Sequence, residues 1–368
     1  MKLAFVTELF HPSVGGQEIR FEELGQKLVA RGHQVHVYTI HIDSSSPAYE
    51  NRGGIEVSRL CIAPDYKSRY LRRNPFDILR FSLALWRRRQ ELKNYDAVVF
   101  NIWPLLPQFL LGPFMRQKCV IDVCETRSGL VWNTVYRQLA LIPNVRFIGV
   151  NQEIVRRMIS TYGVEPRNCA SIISGVDLDA AGTPPFSKCN GQLLFFGRMT
   201  PHKNPQLLVE SFHESGIHER GFSLHMAGAG PELERLKRDF TFPGVKYHGR
   251  VSENEKWELL RQSSLLIMPS RREGFPRVVA EAACVGTPTL SLDFPDNGTS
   301  SVVTDYLIGK VCAANRQSLV DELRAYAGGI SSYGDIAQHC LSEARMQFSW
   351  DAVVDQLVTF LEQRETKL

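Results

Sequence analysis

Short apolar runs alternate with amphipathic segments along this chain, and the alternation breaks once and then starts again. No other feature limits the fold as much. Residues 3–7 read as a buried strand. Residues 17–31 read as a helix with Phe21, Leu24, Leu28 and Val29 on one face, and 34–40 as the next strand. Further strand candidates lie at 55–60, 97–101, 119–123 and 146–150. This is the βαβ rhythm of a doubly wound parallel sheet. Residues 175–191 are rich in Gly, Pro, Ser and Asp and lack periodicity, so they read as a linker. The rhythm returns with strands at 192–197, 222–228, 264–270 and 287–292. Helices are expected at 205–213 and 232–240, and a last amphipathic helix at 348–363. The 368 residues suffice for a core in each of two domains. The expected class is α/β, with two consecutive Rossmann-like domains and a cleft between them.

Composition excludes several classes. The net charge of +4 gives no global case for nucleic-acid binding. No stretch is long and apolar enough to span a bilayer, and the opening MKLAFVT reads as a strand rather than a signal peptide. Eight cysteines contain no CxxC pair, so they read as reduced thiols in a cytoplasmic protein. His33, His36 and His41 cluster around one strand, but alternation sends His33 and His36 to opposite faces. No metal is expected there, and no cofactor is expected anywhere.

Three segments carry chemistry. In PSRREGFPRVVAEAACVGTP (269–288), a strand ends, a loop holds Glu273 and Gly274, and a helix starts near Pro276 with Glu281 in its second turn. Backbone N–H groups at such a helix start favour phosphate. On spacing alone, two surface carboxylates, one of them capping, are an equal reading. In FFGRMTPHKNPQLL (195–208), Arg198 and Lys203 follow a strand and precede a helix, which suits a diphosphate leaving group. A solvated basic loop is the plainer alternative. In ELFHPSVGGQE (8–18), Gly15 and Gly16 let backbone approach a ligand or simply form a tight turn.

Together and in this order, these motifs resemble the family 4 retaining glycosyltransferases of the GT-B fold, over nearly the whole chain. The most specific part is E-x7-E, filled by Glu273 and Glu281. It is joined by GR at 197–198, KN at 203–204, AGAGPE at 227–232 and FSW at 348–350. The resemblance implies an N-terminal acceptor domain (1–175) completed by a crossover helix (348–368), and a donor domain (176–347). Glu273 would face the donor sugar, Glu281 the ribose, and Arg198 with Lys203 the diphosphate; Glu273, Arg198 and Lys203 are the catalytic candidates. Gly274, Phe275, Pro276, Arg277 and Val278 would position sugar and phosphate, Val251 would lie near the base, and Gly15 and Gly16 would complete the donor site. The reaction would retain anomeric configuration without a metal. Glu18, Asn101, Cys124 and Glu125 fall on the acceptor or sugar side. Cys124 and Asn101 stand where many members carry histidine, and Pro276 where many carry glycine. Those departures bear on donor choice and keep open a non-catalytic nucleotide-sugar-binding subunit.

Residues 66–93 hold nine Lys or Arg and two acids, a net +7, while the remainder sums to −3. Arg72, Arg73, Arg80, Arg87, Arg88 and Arg89, with Trp86, read as a patch on an anionic membrane surface. A helix with a solvated cationic face is the plainer alternative. The expected protein is therefore peripheral on the inner face of the plasma membrane. It would move a hexose from a UDP- or GDP-sugar to a glycan acceptor, such as a polyprenyl-diphosphate-linked sugar, in lipopolysaccharide, capsule or exopolysaccharide synthesis. A soluble small-molecule acceptor is the alternative.

Overall fold

The computed structural model describes residues 1–13, 15–64, 66, 73–115, 118–126, 129–182, 191–329 and 333–363. It divides into two compact units, Met1–Ser174 with Val353–Leu368, and Gly175–Ala352.

The first unit is built on an eight-stranded sheet. Its strands are β1 (Lys2–Val6), β2 (Gln34–His41), β3 (Tyr49–Arg52), β4 (Ile55–Ile62), β5 (Ala97–Asn101), β6 (Cys119–Val123), β7 (Arg146–Gly149) and β8 (Cys169–Ser171). They lie in the order β3-β4-β2-β1-β5-β6-β7-β8. Every pairing is parallel except β3 with β4. The central strands β5 and β6 are buried at every position. Parallel strands covered on both faces need such continuous runs, so the sequence shows them plainly. The edge strand β3, Tyr-Glu-Asn-Arg, is polar and gave no such signal.

Helix α1 (Gly16–Ala30) follows β1 and α2 (Pro75–Arg87) precedes β5. Asn74 caps α2 by accepting from Phe76 N–H at 3.0 Å, with Pro75 in the first turn. Arg20 of α1 is 2% exposed. It reaches Asp122 of β6 at 3.2 Å and the carbonyls of Ile172 and Ile173. The last helix of the chain, Trp350–Glu362, contributes to this unit from Val353 onward. There Arg146 donates to the Phe360 carbonyl at 2.6 Å and lies over its ring.

The second unit holds six parallel strands: β9 (Gln192–Phe196), β10 (Ser223–Ala227), β11 (Val245–Gly249), β12 (Leu265–Met268), β14 (Thr289–Asp293) and β16 (Gly309–Ala313), in the order β11-β10-β9-β12-β14-β16. Leu193, Phe195, Leu224, Leu265, Ile267 and Leu290 point into one core with Leu208 and Phe212. A separate two-stranded pair joins β13 (Arg272–Glu273) to β15 (Asp296–Asn297), with Glu273 opposite Asn297. Val176 bridges to Ser349, inside the stretch read as a linker; its residues 183–190 lie outside the described ones. Two glycines of AGAGPE answer to close packing. Gly228 has φ +133°, and a Cβ there would stand 1.8 Å from the Gly197 carbonyl oxygen. A Cβ at Gly230 would stand 2.3 Å from the Met199 carbonyl oxygen.

Candidate functional site

In the second unit, two loops at the C-terminal ends of strands bring a lysine to a glutamate. The loop after β9 makes one turn of 3-10 helix, Pro201–Lys203, and Asn204 then takes a left-handed conformation (φ 58°) before Pro205 opens helix α3 (Pro205–Ser215). The loop after β12 leads through Ser270 to Glu273. Arg271 N–H donates to the His202 carbonyl at 2.8 Å and so laces the two loops together. The Lys203 ammonium makes a short ion pair with Glu273 Oε1, and Ser270 Oγ donates to the same oxygen at 3.0 Å. Both members of the pair are mostly buried. Burial, followed by the Lys203 charge, lowers the pKa of His202 beside them. Arg198, expected with Lys203, stands exposed on the same loop.

Helix α4 (Arg277–Cys284) follows directly. Pro276 takes the N-cap position, one residue before the place the sequence suggested. Phe275 packs against Phe348, with ring centroids 6.4 Å apart, while Gly274 and Arg277 are half-buried and Val278 is buried. Glu281 is 6% exposed. Its Oε1 accepts from the Lys256 ammonium at 2.9 Å and lies 4.0 Å from Arg277. Lys256 belongs to α5 (Glu253–Gln262), which begins two residues after the half-buried Val251. The sequence reading passed over Lys256 because its glutamate lies 25 positions away on another helix. Its one local signal is the Ser252–Glu255 capping box, which fixes where that helix starts.

In the first unit, Gly15 caps α1 in an extended conformation and Gly16 is its first residue. A Cβ at Gly15 would lie 2.4 Å from a Glu18 carboxylate oxygen, so the glycine makes room for that side chain. Asn101 is buried at the end of β5. Its side chain donates to Thr7 Oγ1 at 3.3 Å and accepts from Trp103 N–H at 3.4 Å, which commits it to holding two loops. Cys124 and Glu125 follow β6; burial, then the charges of Glu125 and Asp122, push the Cys124 thiol well up and hold it protonated.

Arg73 corrects one expectation. It does not join a surface patch but turns inward, with Nε and Nη2 donating to Glu8 at 2.5 and 2.8 Å and the guanidinium 5.1 Å from the Trp103 ring centre. Tyr66 donates to the same buried Glu8 at 2.7 Å. The carboxylate beyond β1 is what draws the arginine in, and the sequence offered no sign of it. Arg72 lies outside the described residues. On α2, Asp77, Phe81, Ser82 and Leu85 face inward, leaving Phe76 (78% exposed), Leu79 and Leu83 as an outward apolar stripe. Arg80 pairs with Asp77 at 3.2 Å and Arg88 with Glu91 at 3.0 Å, while Arg87 is exposed. Trp86 packs edge-on to Phe114, with Arg89 over its ring. Among the described residues no helix is long and apolar enough to cross a membrane. Among the same residues no three His, Cys, Asp or Glu converge as for a metal.

Residues 185–327 match the family model described as Glycosyl transferases group 1, and residues 14–180 match that described as Glycosyltransferase Family 4. A D-inositol 3-phosphate glycosyltransferase of Geodermatophilus obscurus is 25% identical over 392 residues, covering 94% of this chain and 84% of its own length. Sucrose-phosphate synthase from Thermosynechococcus elongatus superimposes with a TM-score of 0.76 at 16% identity, over 98% of both chains. Anabaena Alr3699/HepE, solved with UDP and glucose, superimposes with a TM-score of 0.72 at 17% identity, over 99% of this chain and 100% of its own. At such identities these two likenesses speak for the fold.

Proposed function

The chain belongs to the family 4, group 1 glycosyltransferases, and from that premise we propose that it moves a sugar from a nucleoside-diphosphate sugar to a small polar acceptor in solution, with retention and without a metal. The observation that carries the reading is the Lys203–Ser270–Glu273 cluster, one turn before α4 and Glu281. Donor diphosphate would lie between Lys203 and the N-terminal end of α4, where developing charge on the leaving oxygen is offset as the glycosidic bond breaks. Glu273 would hold sugar hydroxyls and Glu281 the ribose diol. Arg198, exposed on the same loop, would add a second cation. The acceptor hydroxyl would attack the face the diphosphate leaves, and its proton would pass to the departing phosphate oxygen. The acceptor class follows the name of the Geodermatophilus relative.

A second reading keeps the lipid-linked glycan acceptor and membrane surface, and one observation favours it. The α2 stripe of Phe76, Leu79 and Leu83 faces outward with Arg80 and Arg87 beside it. Apolar side chains between arginines suit an interface of anionic headgroups.

The test is turnover of UDP-, GDP- and ADP-sugars, with a phosphorylated cyclitol or with undecaprenyl-diphosphate sugar in vesicles. NMR gives the product anomer, and EDTA tests the metal. Product of the donor's own anomeric configuration, formed with the soluble acceptor and insensitive to EDTA, is expected. Inversion, loss of activity in EDTA or turnover only in vesicles overturns the corresponding part. A protein that binds a donor but neither transfers nor hydrolyses it is a binding subunit.

A further inference from the structure

Buried acids seldom sit alone, and Glu281 does not. Its amino partner, Lys256, is itself 7% exposed and comes from a different helix. The Lys256 ammonium spans two carboxylates, Glu253 Oε1 at 2.5 Å toward solvent and Glu281 Oε1 at 2.9 Å inside, and lies 4.8 Å from the Trp257 ring centre. The aliphatic stem is thereby buried and the charge fully engaged. Both cations near Glu281, Lys256 and Arg277, approach the same oxygen, Oε1. The cations thus meet the carboxylate through Oε1, which leaves Oε2 to other donors.

We propose that Lys256 is the positioning residue for ribose recognition: it holds Glu281 through Oε1 in a buried place and leaves Oε2 to the donor's vicinal diol. This rests on the reading of Glu281 as the ribose carboxylate. A buried carboxylate that loses its cation swings toward water. The lysine also ties α5, which starts just past Val251, to α4, so the segments proposed for base and for ribose would keep a fixed spacing.

The experiment uses the intact chain and calorimetric titration. UDP, GDP and ADP identify the nucleotide that binds, and its 2′,3′-dideoxy analogue is then titrated for comparison. The ratio of the two affinities reads contact with the diol, and general damage to the fold lowers both affinities together. Wild type is expected to prefer the ribose form by at least about ten-fold, the size of one charge-assisted hydrogen bond. Glu281→Gln and Lys256→Met should each bring the ratio close to one, Lys256→Arg should restore most of it, and the double variant should lose no more than either single one. If Lys256→Met does not give a cooperative melt, Lys256→Gln is titrated in its place. A Lys256 variant that keeps the full ratio while Glu281→Gln loses it overturns the positioning role alone. A wild type without preference, or a Glu281→Gln that keeps it, overturns the ribose reading and this inference with it.

Discussion

Lys203 and Glu273 stand 70 positions apart and meet in a short ion pair, with Ser270 donating to the same carboxylate oxygen. Glu281 repeats the arrangement with Lys256. Each glutamate of the E-x7-E motif thus arrives with an ammonium from another element on Oε1. Replacing Lys203 by Ala removes the cation nearest the proposed leaving group and strands a mostly buried carboxylate. Turnover is expected to fall by about 10²–10³-fold, the loss typical of one preorganised charge-stabilising group. Steady-state kinetics with the preferred donor measure it, and a change of less than a few-fold would place the diphosphate elsewhere.

Gly228 carries the second prediction. Its φ of +133° belongs to glycine, and a Cβ would meet the Gly197 carbonyl oxygen at 1.8 Å. Gly228→Ala must push the Gly197–Arg198 loop aside or strain the backbone. A loss of at least about 1–3 kcal/mol is expected, together with weaker nucleotide binding. Chemical denaturation and titration check the two effects separately.

Arg20 and Asp122 form a pair that is 2% and 1% exposed. Burial pushes the Asp122 carboxyl up, and Arg20 draws it back down. Arg20→Met should cost about 3–5 kcal/mol because it leaves a buried acid unpaired, while Arg20→Met with Asp122→Leu should cost far less. Denaturant midpoints of the two variants decide this.

His225 stacks against His248, their ring nitrogens 3.0 Å apart, and burial followed by the charges of His248 and Lys246 lowers its pKa to about 4. Between that value and 6.5 the unfolded chain binds more protons than the folded one. Stability from this site is therefore complete above pH 6.5 and lost as the pH falls toward 4. The melting temperature of the second unit should drop between pH 7 and 5, and His225→Gln should flatten that slope.

What could be read in the sequence follows the physics of each element. Strands β5 and β6 announce themselves because a covered parallel strand is apolar over most of its length, and β3 does not because an edge strand is polar. Helix α4 was legible from Pro276 and Glu281, although the proline caps the helix rather than beginning it. Lys203 and Glu273 were singled out separately; that they meet depends on two loops crossing, joined by Arg271 N–H and the His202 carbonyl. Lys256 was missed for the same reason, since no local pattern records a partner on another helix. Arg73 was counted with the surface charges beside it in sequence, and only the buried Glu8 explains why it turns inward.

The central claim is that the second unit binds a nucleoside diphosphate through Lys203, Glu273 and Glu281, and thermal melting with UDP, GDP and ADP tests it most directly. One of the three should raise the melting temperature with increasing concentration, as for any ligand that binds the native state, and Lys203→Ala should abolish that rise. No rise with any of them, or a rise that Lys203→Ala and Glu281→Gln both leave unchanged, would contradict it.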